Sequence, residues 1–166
     1  MQKSLFMGAG MSLVTSAQGH RDSIQDKLNI GIIGVANRGG DNLNGVASQN
    51  IVALCDVDDN YLAQAKQRFP QAMVFNDYRK MIEMKGLDAV TVSTPDHHHA
   101  PATALALHAG LHVYCEKPLT LTIGEGRPLI QNVNRYGRVC QVGSQQRSDP
   151  LFRRACELVQ IGRAHV

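Results

Sequence analysis

Several features are missing from this chain of 166 residues, and each absence closes off a class of function. No block of like charge interrupts it: 17 Lys and Arg are spread among 14 Asp and Glu, for a net charge of +3. Nothing in that pattern demands a nucleic acid or an anionic membrane as partner. Four cysteines (Cys55, Cys115, Cys140 and Cys156) show no metal-like or redox spacing. Three of them fall in apolar strand-like runs, where a thiol behaves as a small buried hydrophobe, so no structural disulfide is expected. There is no internal repeat, no low-complexity tract and no apolar run long enough to span a bilayer as a helix. What is present is the composition of a soluble globular protein, 43% hydrophobic and 19% charged, at a length that suits one ordinary domain.

Residues 1–27 differ from the rest of the chain. An apolar run of ten, "LFMGAGMSLV", is preceded by Lys3 and followed by Thr15, Ser16 and Ala17, small residues that suit a signal-peptidase site. A polar stretch then leads to the first strand. The expectation is a signal-like segment and linker, with its leading residues missing and an exported or periplasmic destination. The alternative is a frayed N-terminal tail on a cytoplasmic protein.

From residue 28 the apolar pattern switches regularly between two periods. Strands are expected at 28–34, 51–56, 73–75, 87–93, 111–115 and 138–142, with helices at 39–48, 60–69, 77–84, 100–109, 126–136 and 150–161. Pro70 ends the second helix, Pro101 opens and Gly110 closes the fourth, and Gly137 and Gly162 close the last two. Thr122 and Glu125 have capping-box spacing, but Gly124, Gly126 and Pro128 weaken the turns behind them, so the helix is read from Gly126 with its start open by several residues. Strands alternating with helices imply an α/β fold, a doubly wound parallel sheet over residues 28–166. In such sheets ligands bind beyond the carboxyl ends of the strands.

Those ends carry the chemistry. The first strand runs into Gly34-Val35-Ala36-Asn37-Arg38-Gly39, a G-x-A-x-x-G form of the dinucleotide fingerprint. Gly34 permits the tight turn and Gly39 lets the next helix lie close to the strand. Ala36 adds one methyl where a pyrophosphate would approach the backbone. The helix start would aim free N–H groups at the phosphates. Asp56 ends the second strand 22 residues after Gly34, where an acid can accept the adenosine ribose hydroxyls and repel a 2′-phosphate. Asp58 takes the helix-capping role, which leaves Asp56 free for that one. The pair favours NAD over NADP, although Arg38 could accommodate a phosphate.

"STPDHHHAP" ends the fourth strand, with Thr94 facing the cleft and Pro95 halting the strand. Three consecutive histidines do not make a helical metal site, because neighbours on a helix point about 100° apart and zinc ligands are spaced i, i+4. His99 is expected at the site or helix start, with His97 and His98 at the rim. The fifth strand ends in Glu116-Lys117-Pro118. A partly desolvated lysine there can move a proton near a cofactor, whereas the plainer alternative is a surface lysine paired with Glu116.

Taken together, "ALCDVD", "STPDHHHAPATALALHAGLHVYCEKPL" and "GSQQRSDP" resemble the N-terminal half of the glucose–fructose oxidoreductase, inositol dehydrogenase and rhizopine-catabolism family, Gfo/Idh/MocA. The resemblance covers residues 28–166 and implies a Rossmann cofactor domain. It assigns Gly34, Ala36, Asn37, Arg38 and Gly39 to the pyrophosphate turn and Asp56 to the ribose. It assigns Thr94, Pro95 and His99 to the cofactor lining. Glu116 and Lys117 match the Glu-Lys-Pro signature, whose lysine assists proton transfer between nicotinamide and substrate, and Gln146 and Arg147 match a segment near the cleft. It also implies a sugar or polyol substrate, a twin-arginine type of export signal and a second α/β domain beyond "IGRAHV"; the apolar face that would meet that domain favours self-association, so a homo-oligomer is expected. The expectation is therefore an NAD(P)-dependent oxidoreductase represented by its cofactor domain, inactive alone. The family's NAD-dependent glycosidases and a nucleotide-binding module without chemistry are the alternatives.

Overall fold

The computed structural model describes residues 27–161, so the signal-like segment and the Gly162 helix stop lie outside the described residues. Six strands form one wholly parallel sheet: β1 (Asn29–Ile33), β2 (Asn50–Cys55), β3 (Met73–Phe75), β4 (Ala89–Val92), β5 (His112–Cys115) and β6 (Cys140–Val142). Their order is β3-β2-β1-β4-β5-β6, so the chain reverses its direction of travel between β1 and β4. That reversal opens a crevice at the carboxyl edge, the place where doubly wound sheets bind ligands.

The helices are α1 (Arg38–Gly45), α2 (Asp59–Arg68), α3 (Tyr78–Ile82), α4 (His99–His108), α5 (Ile123–Tyr136) and α6 (Pro150–Gln160). Two clusters of buried side chains cover the sheet. Leu43 of α1 and Leu62 and Ala65 of α2 pack with Ile30, Ile32 and Leu54 in one. Met81 of α3 and Ala102, Ala106 and Leu107 of α4 pack with Val90, Val92 and Val113 in the other. A register shift between Ile30 and Gly31 pairs them with Ile51 and Ala53 and leaves Val52 over. This extra residue is why Ile51 and Ala53 serve opposite clusters although two-residue spacing would put them on one face.

Two differences from the sequence reading have physical causes. α5 starts at Ile123, three residues before the expected Gly126. The Glu125 carboxylate accepts from the amides of Leu121 and Thr122 at 2.8 and 3.1 Å, and this cap holds the first turns despite the glycines and Pro128. Short 3-10 turns at Asp96–His98 and Gln145–Ser148, absent from the periodicity, finish the connections after β4 and β6. All four cysteines are free. Among the described residues no helix is long and apolar enough to cross a membrane.

Candidate functional site

A cleft of about 780 Å³ lies along the carboxyl edge, within the range of small-molecule and cofactor sites. Its floor is the turn after β1. Gly34 has φ of +84°, and a Cβ there would stand 2.5 Å from the Ser93 carbonyl oxygen. A Cβ on Gly39 would stand 2.0 Å from the carbonyl oxygen of Gly34, so only glycine lets α1 approach β1 this closely. Ala36 is half-buried on the cleft wall. Asn37, the N-cap of α1, has a positive φ of 50° and makes no side-chain cap, so its amide side chain does not occlude the helix start.

Asp56 stands at the end of β2, half-buried, and is fixed at both oxygens: Oδ2 accepts from the Val35 amide at 2.9 Å and Oδ1 from the Asp58 amide at 3.1 Å. A carboxylate has about four acceptor sites, so lone pairs remain on both oxygens. Asp58 caps α2 by accepting from the Asn60 amide at 2.8 Å, as its position suggested.

Arg38 lines the cleft but turns toward β5. Its Nε donates to Glu116 Oε1 at 2.9 Å and its second nitrogen approaches Asp41 at 3.4 Å. Hydrogen bonding to Glu116 raises its already high pKa, and a guanidinium engaged this way is poorly placed to wait for a 2′-phosphate. Glu116 itself is 3% exposed and lies behind the cleft wall. Besides Arg38 it accepts from Asn42 Nδ2 at 3.0 Å and from the Lys117 amide at 3.3 Å, while Asn42 also donates to Ser93 Oγ at 2.8 Å. Burial pushes the Glu116 carboxyl upward, but the hydrogen bonds from Asn42 and Arg38 prevail and hold it below the usual range. The side chain thus braces α1 against β4 and β5.

Lys117 is exposed at the end of β5, next to the cleft-lining β4 loop, and is not part of the cleft wall. Thr94 and Pro95 do line it, and the Thr94 hydroxyl oxygen is buried without a hydrogen-bond partner. His99 is 1% exposed and sits behind the wall, both ring nitrogens facing backbone carbonyls. His97 and His98 are exposed on the rim, as expected, with Tyr78 edge-on to His98. Gln146 and Arg147 are exposed in the turn after β6, away from the cleft lining. Among the described residues no group of three side chains could hold a metal ion.

The sequence reading missed the wall beyond β3, formed by Asn76, Asp77, Tyr78 and Arg79, and the Val57 and Tyr61 flank. Its signal was available, since "NDYR" directly succeeds a strand and strand ends are where such sheets bind. Hydrogen bonding from Arg79 draws the Asp77 carboxyl down to about 2.

The donor set fits a dinucleotide. A glycine cradle closes where any Cβ would collide, an anchored carboxylate stands 22 residues on, and a buried hydroxyl lacks a partner. The family model for oxidoreductases with an NAD-binding Rossmann fold, GFO_IDH_MocA, matches residues 28–144. Inositol 2-dehydrogenase of Corynebacterium glutamicum (strain R) is 30% identical over 142 residues, which are 82% of this chain and 42% of that protein. The Salmonella typhimurium inositol 2-dehydrogenase is 29% identical over 141 residues, 81% of this chain and 42% of that one. A crystal structure of scyllo-inositol dehydrogenase from Lactobacillus casei with bound cofactor NAD(H) and scyllo-inositol superposes with a TM-score of 0.74 at 29% identity. That match covers 83% of this chain and 42% of the other. The chain thus spans about 42% of the length of these curated relatives.

Proposed function

The chain belongs to the Gfo/Idh/MocA oxidoreductase family and forms its NAD-binding Rossmann domain, and on that premise we propose that the protein oxidises or reduces a carbinol carbon of a cyclic polyol or sugar. The observation that carries this is the cleft itself, which runs from Asp56 on β2, over the glycine turn, to the loops after β4 and β5. When bound, NAD supplies the hydride acceptor or donor. Asp56 holds the adenosine ribose through the free lone pairs of its carboxylate. The start of α1, which no side chain caps, receives the pyrophosphate. Thr94 gives its unpartnered hydroxyl to the nicotinamide half, and Pro95 keeps that loop rigid. Lys117 holds or moves the proton of the reacting hydroxyl at its Nζ.

The substrate class is carried over from the inositol 2-dehydrogenases that this chain is similar to. We also propose a homo-oligomer, for which the exposed Leu151, Phe152 and Val159 of α6 speak, and export directed by the segment before β1. The test is to assay the protein, as encoded in full, against a panel of inositols and hexoses with NAD. Polyol-dependent net formation of NADH is expected. Turnover of glycosides without net NADH would replace the reading with a glycosidase.

A further inference from the structure

We propose that His99 is a positioning residue, a strap behind the cleft wall that holds the β4 and β5 loops at a fixed separation. It rests on the reading of the cleft as an NAD site only for its consequence, not for its geometry. His99 is the first residue of α4, 1% exposed, and its ring lies between two strand-end loops. Nε2 faces the carbonyl oxygen of Thr94 at 2.8 Å, and Nδ1 faces that of Pro118 at 2.5 Å. Thr94 lines the cleft and Pro118 directly succeeds Lys117, so one ring ties the cleft wall to the backbone beside the lysine.

Both partners are backbone carbonyls, which only accept hydrogen bonds. His99 is therefore the donor in this arrangement, through the one N–H of a neutral ring or through both nitrogens when the ring carries a second proton, and among the described residues no other side chain donates to either oxygen. Without the ring, two part-buried carbonyls would face each other across a gap with no side-chain donor between them. A leucine of similar bulk would fill the space and satisfy neither. The ring's position at the first residue of α4 also anchors the strap to a helix packed on β4 and β5. The two loops thus inherit the rigidity of the core.

Along the carboxyl edge, β2 and β5 lie on opposite sides of β1 and β4. A dinucleotide with its adenosine at Asp56 puts its other half over the strapped loops. Loosening the strap should weaken contacts with the nicotinamide half and leave the adenosine half intact.

The test uses His99→Leu, which removes every polar contact of the ring with the two carbonyls, and His99→Gln, which can still donate from one amide nitrogen. Dissociation constants for NAD and for AMP are measured on each, together with melting temperature and amide hydrogen exchange at Lys117 and Leu119. The expected result is about a tenfold loss of NAD affinity in His99→Leu, the equivalent of one or two lost hydrogen bonds, with AMP binding unchanged. His99→Gln should recover part of that loss, and exchange at Lys117 and Leu119 should quicken in step. Equal weakening of NAD and AMP, or no change in either, would overturn the strap and leave His99 as an ordinary core hydrogen bond. If His99→Leu does not fold, His99→Gln alone decides by the same NAD-to-AMP comparison. Failure of the unmodified protein to bind either nucleotide would sink the cofactor reading; the exchange rates at Lys117 and Leu119 would then still decide on the strap.

Discussion

On the β1–β2 side of the cleft the backbone makes the surface: Gly34 and Gly39 clear the space, and Asp56 is pinned by the amides of Val35 and Asp58. On the β4–β5 side, buried side chains do the equivalent work. Glu116 gathers Arg38 and Asn42, Asn42 reaches Ser93, and His99 spans the carbonyls of Thr94 and Pro118. The contrast implies different failure modes. A glycine turn fails all at once when a side chain is added, because backbone cannot move aside. A network of side chains fails by degrees, and its strength depends on pH.

The sharpest way to break the first half is Gly39→Ala. Its new methyl would lie 2.0 Å from the Gly34 carbonyl oxygen, so α1 must back away from β1. A stability loss of about 3 kcal/mol is expected, at the upper end of overpacking costs, with NAD binding abolished. Urea unfolding and a cofactor titration would check both. A variant with unchanged stability would mean that the turn is looser than the geometry requires.

For the second half the corresponding change is Glu116→Gln. Removing the charge leaves Arg38 with a neutral partner, and a cost of about 1–3 kcal/mol at neutral pH is expected for a hydrogen-bonded charge. The folded state holds the Glu116 carboxyl below its ordinary value of 4.5. A depressed carboxyl stabilises the fold above the unfolded value, and that contribution is lost as pH falls through the folded one. The gap between the unmodified protein and Glu116→Gln should therefore be full at pH 7 and close below about pH 4.5. Denaturation midpoints across that range would show it; a gap that persists in acid would show that shape, not charge, holds the brace.

Legibility in the amino acids divides along the same line. Gly34, Gly39 and Asp56 were legible because backbone sterics and a fixed spacing dictate them. The four inner strands were legible because buried parallel strands leave apolar runs between turn residues, and the more exposed edge strands β3 and β6 as short runs set off by turn residues. The inner roles of Glu116 and His99 were not. Glu116 was expected at the cofactor and His99 at the site or helix start; His99 does open α4, but that Glu116 faces α1 and His99 two carbonyls was hidden, since partners 78 and 19 residues away leave no periodic trace. The direction of Arg38 was hidden for the same reason. The early start of α5 was legible in its Thr122–Glu125 spacing, and the weight given to glycine and proline obscured it.

A smaller effect is expected at Asp56. Asp56→Ala should weaken NAD about tenfold, the loss of a charged acceptor, and narrow the preference over NADP. The smallest belongs to the outer wall. Arg79→Ala removes an exposed pair with Asp77, a kind of pair that contributes little to stability. The Asp77 carboxyl should then return from about 2 toward its ordinary value of 3.8, which an NMR titration would follow.

Calorimetric titration of the unmodified protein with NAD and with NADP bears most directly on the cleft as an NAD site. Saturable binding of NAD at one site per chain is expected, tighter than that of NADP, because the anchored Asp56 carboxylate repels a 2′-phosphate while Arg38 is held by Glu116. Tighter binding of NADP would contradict this and would mean that Arg38 leaves Glu116 to meet the phosphate.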